Sequence, residues 1–524
     1  MRRLFSLFIV LPAIYAAACS GGGTVVTPPP PMGPFSNLSL NGQYAFLMTG
    51  SAATGNTTGS FGRVGSFNAD GAGNIKGGVE DVNFPGQVST AIPIMGGTYS
   101  ISPDGRGTIT LTFGNGASNL LFAVTLTSKS DGLLIDVTSN QNQFTSASGN
   151  FFKQNSAAFV TSGISNNYVF DFAGTDPLTT FPASFIGRFN SSGNGQITSG
   201  VEDINSGGQF TTNNPFTGSY SIDAANASSG RGTATIDGLS YAFYIVDQTR
   251  VRFLGLDAAG LLTGDAVQQQ ANVPTTTANI SGGFVFAIGG SNGIGPFSRL
   301  GRFTTSAGGT SQVIVDSLAF TGTATLHNFA TNNTNPGTVT IDATGNGRGT
   351  ITFRDPSLAD PYQFVFYLSS PTSGVIQDVS TGGGLVGDGS LSAQTGGPFS
   401  STNISGTYAL NWSGIAVQAG IFDEEDVVGQ VALSSLSVKG ASDINSFGTF
   451  SVVPDAVTTG TLVLQGDGTG SVASNNRNKI APLTLAKSGS TSVNFLVYIV
   501  SPNTMFIATT DTNRVVIGTL VMQH

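Results

Sequence analysis

The sequence predicts an all-β protein built from tandem antiparallel domains, and three observations lead to this prediction. First, short runs alternate between apolar and polar residues, as in "GTITLTFG", where Ile109, Leu111 and Phe113 are the apolar members. Such period-two alternation is typical of a strand with one buried face. Second, glycine fills 72 of 524 positions and charged residues only 9%, a composition that does not favour long amphipathic helices. Third, the same motifs recur four times.

An aromatic residue opens each copy of the repeat, at intervals of 116 to 124 residues. The four openings are Tyr44, Tyr168, Phe284 and Tyr408, and the predicted closing glutamines are Gln154, Gln270, Gln394 and Gln523. Solenoid repeats have periods of roughly 20–50 residues, so intervals this long indicate separate domains. The predicted β domains cover residues 40–155, 164–270, 280–395 and 404–524.

Strands can be counted in the first copy because Asp-Gly and Pro-Asp-Gly turn signals separate the alternating runs. The eight candidates are Gln43–Thr49, Phe61–Ala69, Asn74–Asn83, Gly97–Ile101, Gly107–Phe113, Leu120–Thr127, Leu133–Thr138 and Ser146–Lys153. Eight consecutive strands with short turns, in about 115 residues, fit an up-and-down antiparallel barrel, which has no exposed edges. The Gly-x-Tyr opening resembles the first strand of calycin-type barrels. An immunoglobulin-like β-sandwich is the alternative that strand count leaves open.

The N-terminal residues indicate export. Arg2 and Arg3 precede an apolar run from Leu4 to Ala18, which is typical of a signal peptide over residues 1–18. Cys19, the only cysteine of the chain, follows directly. This arrangement resembles the lipobox of bacterial lipoproteins, and the resemblance implies that Cys19 is acylated and that the protein is anchored to the outer membrane, facing either the periplasm or the cell surface. Residues 19–39 then form the lipid anchor and a Gly/Pro-rich stalk, since a four-proline run favours extended polyproline II.

The stretch "GVEDVN" of the first copy returns as "GVEDIN" in the second. Neighbouring residues of a strand point to opposite faces, so Glu80 and Asp81 cannot form the facing carboxylate pair of a glycosidase or an aspartic protease. The aspartate recurs in all four copies, and a "GRGT" arginine occurs in three of them. We therefore predict a structural Arg–Asp joint between strands of one copy, as between Asp203 and Arg231. The candidate joint residues are Asp81, Arg106, Asp203, Arg231, Asp316, Arg348 and Asp443.

The fourth copy has Thr469 where the other copies have this arginine, so backbone N–H groups are expected to satisfy Asp443. No other constellation predicts chemistry. With only His327 and His524 and a single cysteine, neither a repeated Ser-His-Asp triad nor a zinc site is expected. The loop "NADGAGN" reads as a hairpin turn, since it lacks the twelve-residue calcium pattern. The sequence predicts no catalytic residue, no metal and no cofactor.

Lipobox, proline stalk and tandem β repeats with "GVED" and "GRGT" together resemble a group of uncharacterised exported lipoproteins of soil bacteria, a resemblance that implies no activity. The first function hypothesis is a structural or adhesive role at the cell surface. The alternative is binding of a small apolar ligand or a glycan in the barrel mouths, which a filled interior would exclude. Expected partners are the membrane, through the lipid, and a surface glycan, protein or small ligand. The net charge of −9 disfavours nucleic acid.

Overall fold

The computed structural model describes residues 35–54, 57–114, 119–138, 143–320, 324–331, 336–381, 384–418, 421–435, 437–446, 449–462, 483–487 and 493–524. The predicted signal peptide, Cys19 and most of the stalk lie outside these residues, as does Thr469. In the described part of the chain, no helix is long and apolar enough to cross a membrane.

The all-β prediction is confirmed, and the first eight strands close into an antiparallel barrel, barrel 1. Its strands are β1 (Asn41–Thr54), β2 (Thr57–Asp70), β3 (Asn74–Phe84), β4 (Gln87–Ile101), β5 (Arg106–Phe113), β6 (Asn119–Leu126), β7 (Asp131–Asp136) and β8 (Gln143–Lys153). The fourth strand begins ten residues before the predicted Gly97–Ile101, and its added part, Gln87–Gly96, is mostly exposed or half-buried, so it shows no clear alternation between a buried and an exposed face. Each strand pairs with its neighbours in sequence, and β8 returns to β1.

Barrels 2 and 4 repeat this closed order. Barrel 2 consists of β9 (Ser165–Thr175), β10 (Pro182–Ser192), β11 (Gln196–Ser206), β12 (Gln209–Ile222), β13 (Arg231–Ile236), β14 (Leu239–Asp247), β15 (Arg250–Gly255) and β16 (Leu261–Gln268). Barrel 4 consists of β26 (Gly406–Gln418), β27 (Ile421–Ser434), β28 (Ser437–Ser446), β29 (Thr449–Thr461), β30 (Leu483–Lys487), β31 (Val493–Ser501), β32 (Thr504–Thr509) and β33 (Arg514–Met522). The closed order is incompatible with the sandwich alternative.

The third unit, barrel 3, has nine strands because two separate strands follow β19 where the other barrels have one. They are β17 (Gly282–Ser291), β18 (Pro296–Ser306), β19 (Gly309–Phe320), β20 (Ala324–Ala330), β21 (Gly337–Ile341), β22 (Arg348–Phe353), β23 (Tyr362–Ser370), β24 (Ser373–Asp378) and β25 (Val386–Ala393). Pairing of β19 with β18 and with β21 completes the circuit, while β20 pairs with β19 beside it.

The interior of each barrel is filled by large side chains. In barrel 1, Tyr44 stacks on Phe67 with ring centroids 5.6 Å apart, and Phe46 lies 6.1 Å from Phe122. The ring of Phe46 crosses β2 at Gly65, where a Cβ would lie 2.7 Å from that ring. Glycine is therefore required at this position by a close approach, and Phe170 crosses Gly187 in barrel 2 in the same way. Large buried side chains thus occupy the cores of barrels 1 and 2, which does not favour a ligand inside them.

Successive barrels contact one another side by side, with like ends together. We call the end with the β1–β2 and β3–β4 turns, or their equivalents, the upper end of a barrel, and the opposite end the lower end. Asn83, near the upper end of barrel 1, hydrogen-bonds to the upper end of barrel 2 at Gly255, whereas Gln154 at its lower end bonds to Ser229 at the lower end. The same two bonds join barrels 2 and 3 and barrels 4 and 1, and the lower-end bond also joins barrels 3 and 4.

This head-to-tail contact, repeated four times, returns to its starting barrel, so the barrels form a closed ring. In each contact, the first strands of one barrel pack on the sixth to eighth strands of the next, as β2 packs on β14, β15 and β16. At the last contact β27 of barrel 4 packs on β6, β7 and β8 of barrel 1. We call the four contacts seam 1–2, seam 2–3, seam 3–4 and seam 4–1.

Candidate functional site

The motif aspartate lies at a seam and binds the next barrel. At seam 1–2, the buried carboxylate of Asp81 accepts hydrogen bonds from Nε and Nη2 of Arg231 at 2.8 and 2.6 Å, and from the Tyr244 hydroxyl at 2.7 Å. The backbone N–H of Ala91 donates to the same carboxylate. Burial lowers the pKa of Arg231, but its hydrogen bonds to Asp81 outweigh this and hold it above the ordinary range. The bidentate geometry is the strong form of an Arg–carboxylate pair.

Seam 2–3 has the same joint, which corrects the predicted pairing. Asp203 accepts two hydrogen bonds from Arg348, both at 2.7 Å, and a third from Tyr367 at 2.7 Å. The prediction that Asp203 pairs with Arg231 of its own copy is therefore wrong. The aspartate stands on the third strand of each barrel with its side chain directed outward, so it meets the following barrel and not the fifth strand of its own.

At seam 3–4 the arginine is missing and the tyrosine remains. Asp316 accepts a hydrogen bond from Tyr498 of barrel 4 and another from Asn328 of its own barrel at 2.6 Å. At seam 4–1 the equivalent residues are Asp443, which is buried, and Arg106, whose Nε donates to Asp104 at 2.8 Å. Asp443 and Arg106 each make a further interaction. That backbone N–H groups satisfy Asp443 stays a prediction.

The last residue of "GVED.N" is a second joint that sequence reasoning did not single out. The side-chain amide of Asn83 donates to the carbonyl oxygens of Gly255, Asp257 and Gly260 at 2.9 to 3.1 Å. Asn205 and Asn445 make equivalent bonds at seams 2–3 and 4–1. The signal was available, because asparagine follows the aspartate by two residues and so shares its face of the strand.

The closing glutamines are the third joint, at the lower end of every seam. Gln154 donates to the carbonyls of Ser229 and Ile245 at 3.0 and 2.6 Å. In barrel 2 this role belongs to Gln269, which donates to Asn346 and Leu368, and not to Gln270 as predicted. The strand register shows that Gln269, and not Gln270, is the equivalent of Gln154. The backbone N–H of Gln269 donates to the carbonyl of Asn167, as that of Gln154 donates to the carbonyl of Gln43. Gln394 and Gln523 behave as Gln154 does.

The motif glutamate faces the barrel interior, as opposite-face geometry requires. Glu80 pairs there with Arg63, and both side chains are buried. Burial raises the pKa of Glu80, with the charge of Arg63 opposing that shift. In barrel 2, Glu202 accepts a hydrogen bond from Asn214 at 3.0 Å, and burial raises its pKa to about 8. Each glutamate points to the opposite face of its strand from the neighbouring aspartate, so "GVED" provides no catalytic pair.

A cavity of about 830 Å³ is lined by all four barrels. Its wall is made largely of first and last strands, which face one another around the axis of the ring. Hydroxyl groups are frequent in this wall: Thr49, Ser51, Ser60, Ser148, Thr263, Ser369, Ser373, Ser390 and Ser392. Arg250 and Arg252 also line it, but both pair with Asp265 at 3.0 Å, which balances much of their charge. The wall thus combines hydroxyl groups with apolar side chains such as Leu47, Phe61 and Leu261.

Carboxyl groups meet at two of the seams beside this cavity. Asp171 of barrel 2 hydrogen-bonds with Asp388 of barrel 3 at seam 2–3. Glu424 and Asp426 of barrel 4 enter seam 4–1, and Glu424 and Asp171 both line the cavity. Sequence reasoning missed all four residues. Asp171 and Asp388 lie far apart in sequence, and no motif connects them. Glu424 and Asp426 belong to the acidic run "DEED" of β27, a signal that the sequence did offer.

Among the described residues, no three His, Cys, Asp or Glu side chains lie together as a metal site would require. His327 is occupied by Asp355, with Nε2 2.7 Å from Oδ2. In the loop "NADGAGN", Asp70 accepts from Asn74 at 2.8 Å and pairs with Lys76 at 2.9 Å, which closes the hairpin. These contacts hold the pKa of Asp70 below its usual range. His327 and Asp70 are thus both engaged in structural contacts.

No family model matches the chain, and no curated protein matches it. Among solved structures, the chain is similar to transferrin binding protein B from Neisseria meningitidis serogroup B, at 9% identity and a TM-score of 0.20 over 74% of this chain and 82% of that one. A double mutant of transferrin binding protein B from Haemophilus parasuis matches at 10% identity and a TM-score of 0.20, over 75% and 83%. Superpositions this loose assign neither a family nor a function.

Proposed function

We propose that this chain is a lipid-anchored protein of the outer membrane with a structural or adhesive role at the surface. The proposal rests chiefly on the end of the ring at which the chain enters, because that end would lie nearer the membrane. The chain enters at the lower end of barrel 1, where the N–H of Phe35 bonds to Pro103, and Cys19 would tether that end to the membrane. A proline stalk adds about 3 Å per residue between lipid and ring. The upper end then faces away from the membrane.

Exposed apolar side chains are present on the hairpins of that upper end. Leu178 is 80% exposed and Phe181 58% exposed in the β9–β10 hairpin, and Ile294 is 71% exposed in the equivalent hairpin of barrel 3. Because like ends of the barrels lie together, these hairpins share one face of the ring. Clustered apolar groups on an otherwise polar surface favour an interaction site. Several weak contacts made by hairpins of one rigid body bind more tightly together than each would alone.

The anchor is tested first. Cys19→Ser should abolish metabolic labelling with palmitate and release the protein from the membrane fraction. The reason is that lipid attachment at a lipobox requires the cysteine, and the chain has no other cysteine. A matched control is Ser20→Ala, which leaves the thiol in place. If the Cys19→Ser protein stays in the membrane fraction, the anchor is not a lipid on this residue.

Adhesion is tested on whole cells with a triple variant, Leu178→Ser, Phe181→Ser, Ile294→Ser. Cells carrying it should be retained on a hydrophobic surface less than cells with the natural chain, and no more than cells that lack the protein. The control is Leu38→Ser, Val160→Ser, which removes side chains that are 77% and 51% exposed at the lower end. Equal retention of the two variants would exclude the upper hairpins as the adhesive face.

The central cavity supports a second candidate function, binding of a polar ligand such as a glycan. The observation in its favour is the hydroxyl-lined space of about 830 Å³ between the barrels, in contrast to their filled interiors. Ser390→Trp would fill part of this space from an exposed position on its wall. A glycan that binds the natural chain should lose affinity for this variant; unchanged binding would place the glycan elsewhere on the molecule.

A further inference from the structure

Two seams contain neighbouring carboxyl groups with buried oxygens and without a basic partner among the described residues. At seam 4–1, Asp426 is fully buried and accepts a hydrogen bond from Ser146 of barrel 1 at 2.7 Å, while its Oδ1 has no partner. Glu424 follows the same face of β27 and is 7% exposed. It is packed so closely that a Cβ on Gly50 of barrel 1 would lie 2.7 Å from its Oε1.

The surroundings of this pair are neutral. Barrel 1 presents serine hydroxyls to it: Ser51 to Glu424, and Ser146 and Ser148 to Asp426. Ser413 approaches from the neighbouring strand β26, and β6 and β7 present apolar residues such as Ala123 and Ile135. The nearest charged group, Glu425, points to the other face of β27, where it pairs with Arg514 at 3.0 Å. No cation of the described residues compensates Glu424 or Asp426.

Seam 2–3 has the same property with different residues. Asp171 and Asp388 hydrogen-bond to each other, and Asp171 Oδ1 and Asp388 Oδ2 are buried without any other partner. Ser184 also bonds to Asp388. Asp265 stands opposite Asp171 on β16, but Arg250 and Arg252 are paired with it. The arginine of the joint, Arg348, is likewise held by Asp203 and Asp342.

Two neighbouring carboxyl groups with buried oxygens and no cation beside them cannot both be ionised without a large cost, so such a pair favours retention of a proton. Burial, together with the neighbouring carboxylate, raises the pKa of Asp171 and of Glu424. Burial raises the pKa of Asp426 to about 6, although hydrogen bonds from serines oppose it. The protons belong to the pairs and not to single residues.

We propose that the acidic pairs Asp171–Asp388 and Glu424–Asp426 make closure of the ring depend on protons. With a proton on each pair, seams 2–3 and 4–1 remain packed. When the protons leave, two like charges repel at each seam and the ring opens into two halves, barrels 1–2 and barrels 3–4. Seams 1–2 and 3–4 hold together because apolar side chains occupy the corresponding places, such as Leu47 with Leu254, and Ala287 with Ile517.

The direction of the pH dependence follows from linkage. The pKa of each pair is higher in the closed ring than in the opened or unfolded chain, so the closed ring binds more protons. The stability that the pairs contribute is therefore fully present in acid, below the ordinary carboxyl pKa, and is lost as the pH rises through the raised value. For Asp426 that window extends from ordinary carboxyl values to about 6 and just above.

The experiment measures the radius of gyration by small-angle X-ray scattering and the thermal midpoint of the full chain, from pH 4.5 to 8. The natural chain should expand and melt earlier as the pH rises. The variant Asp388→Asn, Asp426→Asn keeps both shapes but removes one ionisable group from each pair, so its radius should stay constant and its midpoint should vary less. Asp360→Asn, at an exposed position outside the seams, should behave as the natural chain does.

Identical profiles for the natural chain and the double variant would overturn the proposal. So would recovery of the compact ring at pH 8 by calcium alone, because the pairs would then be a cation site. If the double variant does not fold, the single variants decide: Asp388→Asn and Asp426→Asn should each reduce the pH-dependent shift by roughly half, and an undiminished shift in both contradicts the proposal.

Discussion

Seam 1–2 and seam 4–1 are built from equivalent strands, yet they differ in the groups that lie nearest the ring axis. Both have a motif asparagine that bonds to the next barrel and a glutamine that does the same at the lower end. Seam 1–2 has leucine side chains beside the pair that Asp81 forms with Arg231. Seam 4–1 has Asp443 and Arg106 at the places of that pair, and beside them Glu424 and Asp426, whose polar neighbours on barrel 1 are serine hydroxyls.

The difference shows that the effect of a buried carboxylate on stability depends on the groups around it. At Asp81 a guanidinium and a hydroxyl replace the water that burial removes from the carboxylate. Asp426 has no such partner, so its burial favours the protonated form. The same residue type thus locks one seam and makes the other sensitive to pH. Three substitutions distinguish these two situations.

The largest effect is expected when the charge pair of seam 1–2 is broken. Asp81→Asn should lower the stability of the folded ring by about 3–5 kcal/mol, because Arg231 is left buried without its partner. The measurement is chemical denaturation at pH 7. Lys76→Met breaks an ion pair whose lysine is 58% exposed and should cost roughly 0–1 kcal/mol.

A double-mutant cycle identifies the true partner. Asp81→Asn combined with Arg231→Met should show a coupling energy of about 0.5–3 kcal/mol, whereas Asp203→Asn combined with Arg231→Met should be additive within about 0.5 kcal/mol. Coupling in the second cycle and additivity in the first would mean that the pair forms within one barrel after all.

An intermediate effect is expected at the asparagine joint. Asn83→Ala removes the donor shared by three carbonyl oxygens at the upper end of barrel 2, and should cost about 1–3 kcal/mol. Seam 3–4 provides the contrast, because Leu318 stands at the equivalent place and packs near Val515. Asn190→Ala, which removes an amide bonded to Asn167 within one barrel, is the control for loss of a side-chain amide. A thermal midpoint lowered no more than by the control would show that the joint adds little.

The smallest effect, and the opposite sign, is expected at the acidic seam. Asp426→Asn at pH 7 should leave the stability unchanged or raise it slightly, because it removes a charge that no described cation balances. The comparison with Asp81→Asn is direct, as both substitutions exchange a fully buried carboxylate for an amide at a seam. A loss as large as that of Asp81→Asn would show that the Asp426 carboxylate is bound by a cation.

Much of the fold could be read from local patterns. Ile109, Leu111 and Phe113 alternate as a strand with one buried face must, and Asp-Gly turns limit the strands because few other residues allow such tight reversals. The recurrence of Tyr44 as Tyr168, Phe284 and Tyr408 predicts four similar units. Opposite-face geometry also predicts that Glu80 and Asp81 do different things. All of these inferences involve residues close in sequence.

The partners of the joints could not be read in this way. A repeat says that Asp81 and Asp203 are equivalent, but the same sequence fits pairing within a copy and pairing with the next copy. Tyr244 and Tyr367 complete the joints across a barrel boundary, and nothing in their local sequence points to the distant aspartate. For a similar reason the sequence pointed to Gln270 where the structure uses Gln269, since only strand register distinguishes two adjacent glutamines.

By itself, the sequence determined the all-β class, the four copies and the face of each strand on which a motif residue lies, because these depend on alternation and turn chemistry over a few residues. Only the tertiary structure decided that outward-facing residues bond to the following barrel and that the series closes on itself. Closure depends on the rotation between successive barrels, a sum of many packing contacts. It brings Asp171 beside Asp388, and Asp426 against Ser146, across distances in sequence that no local rule connects.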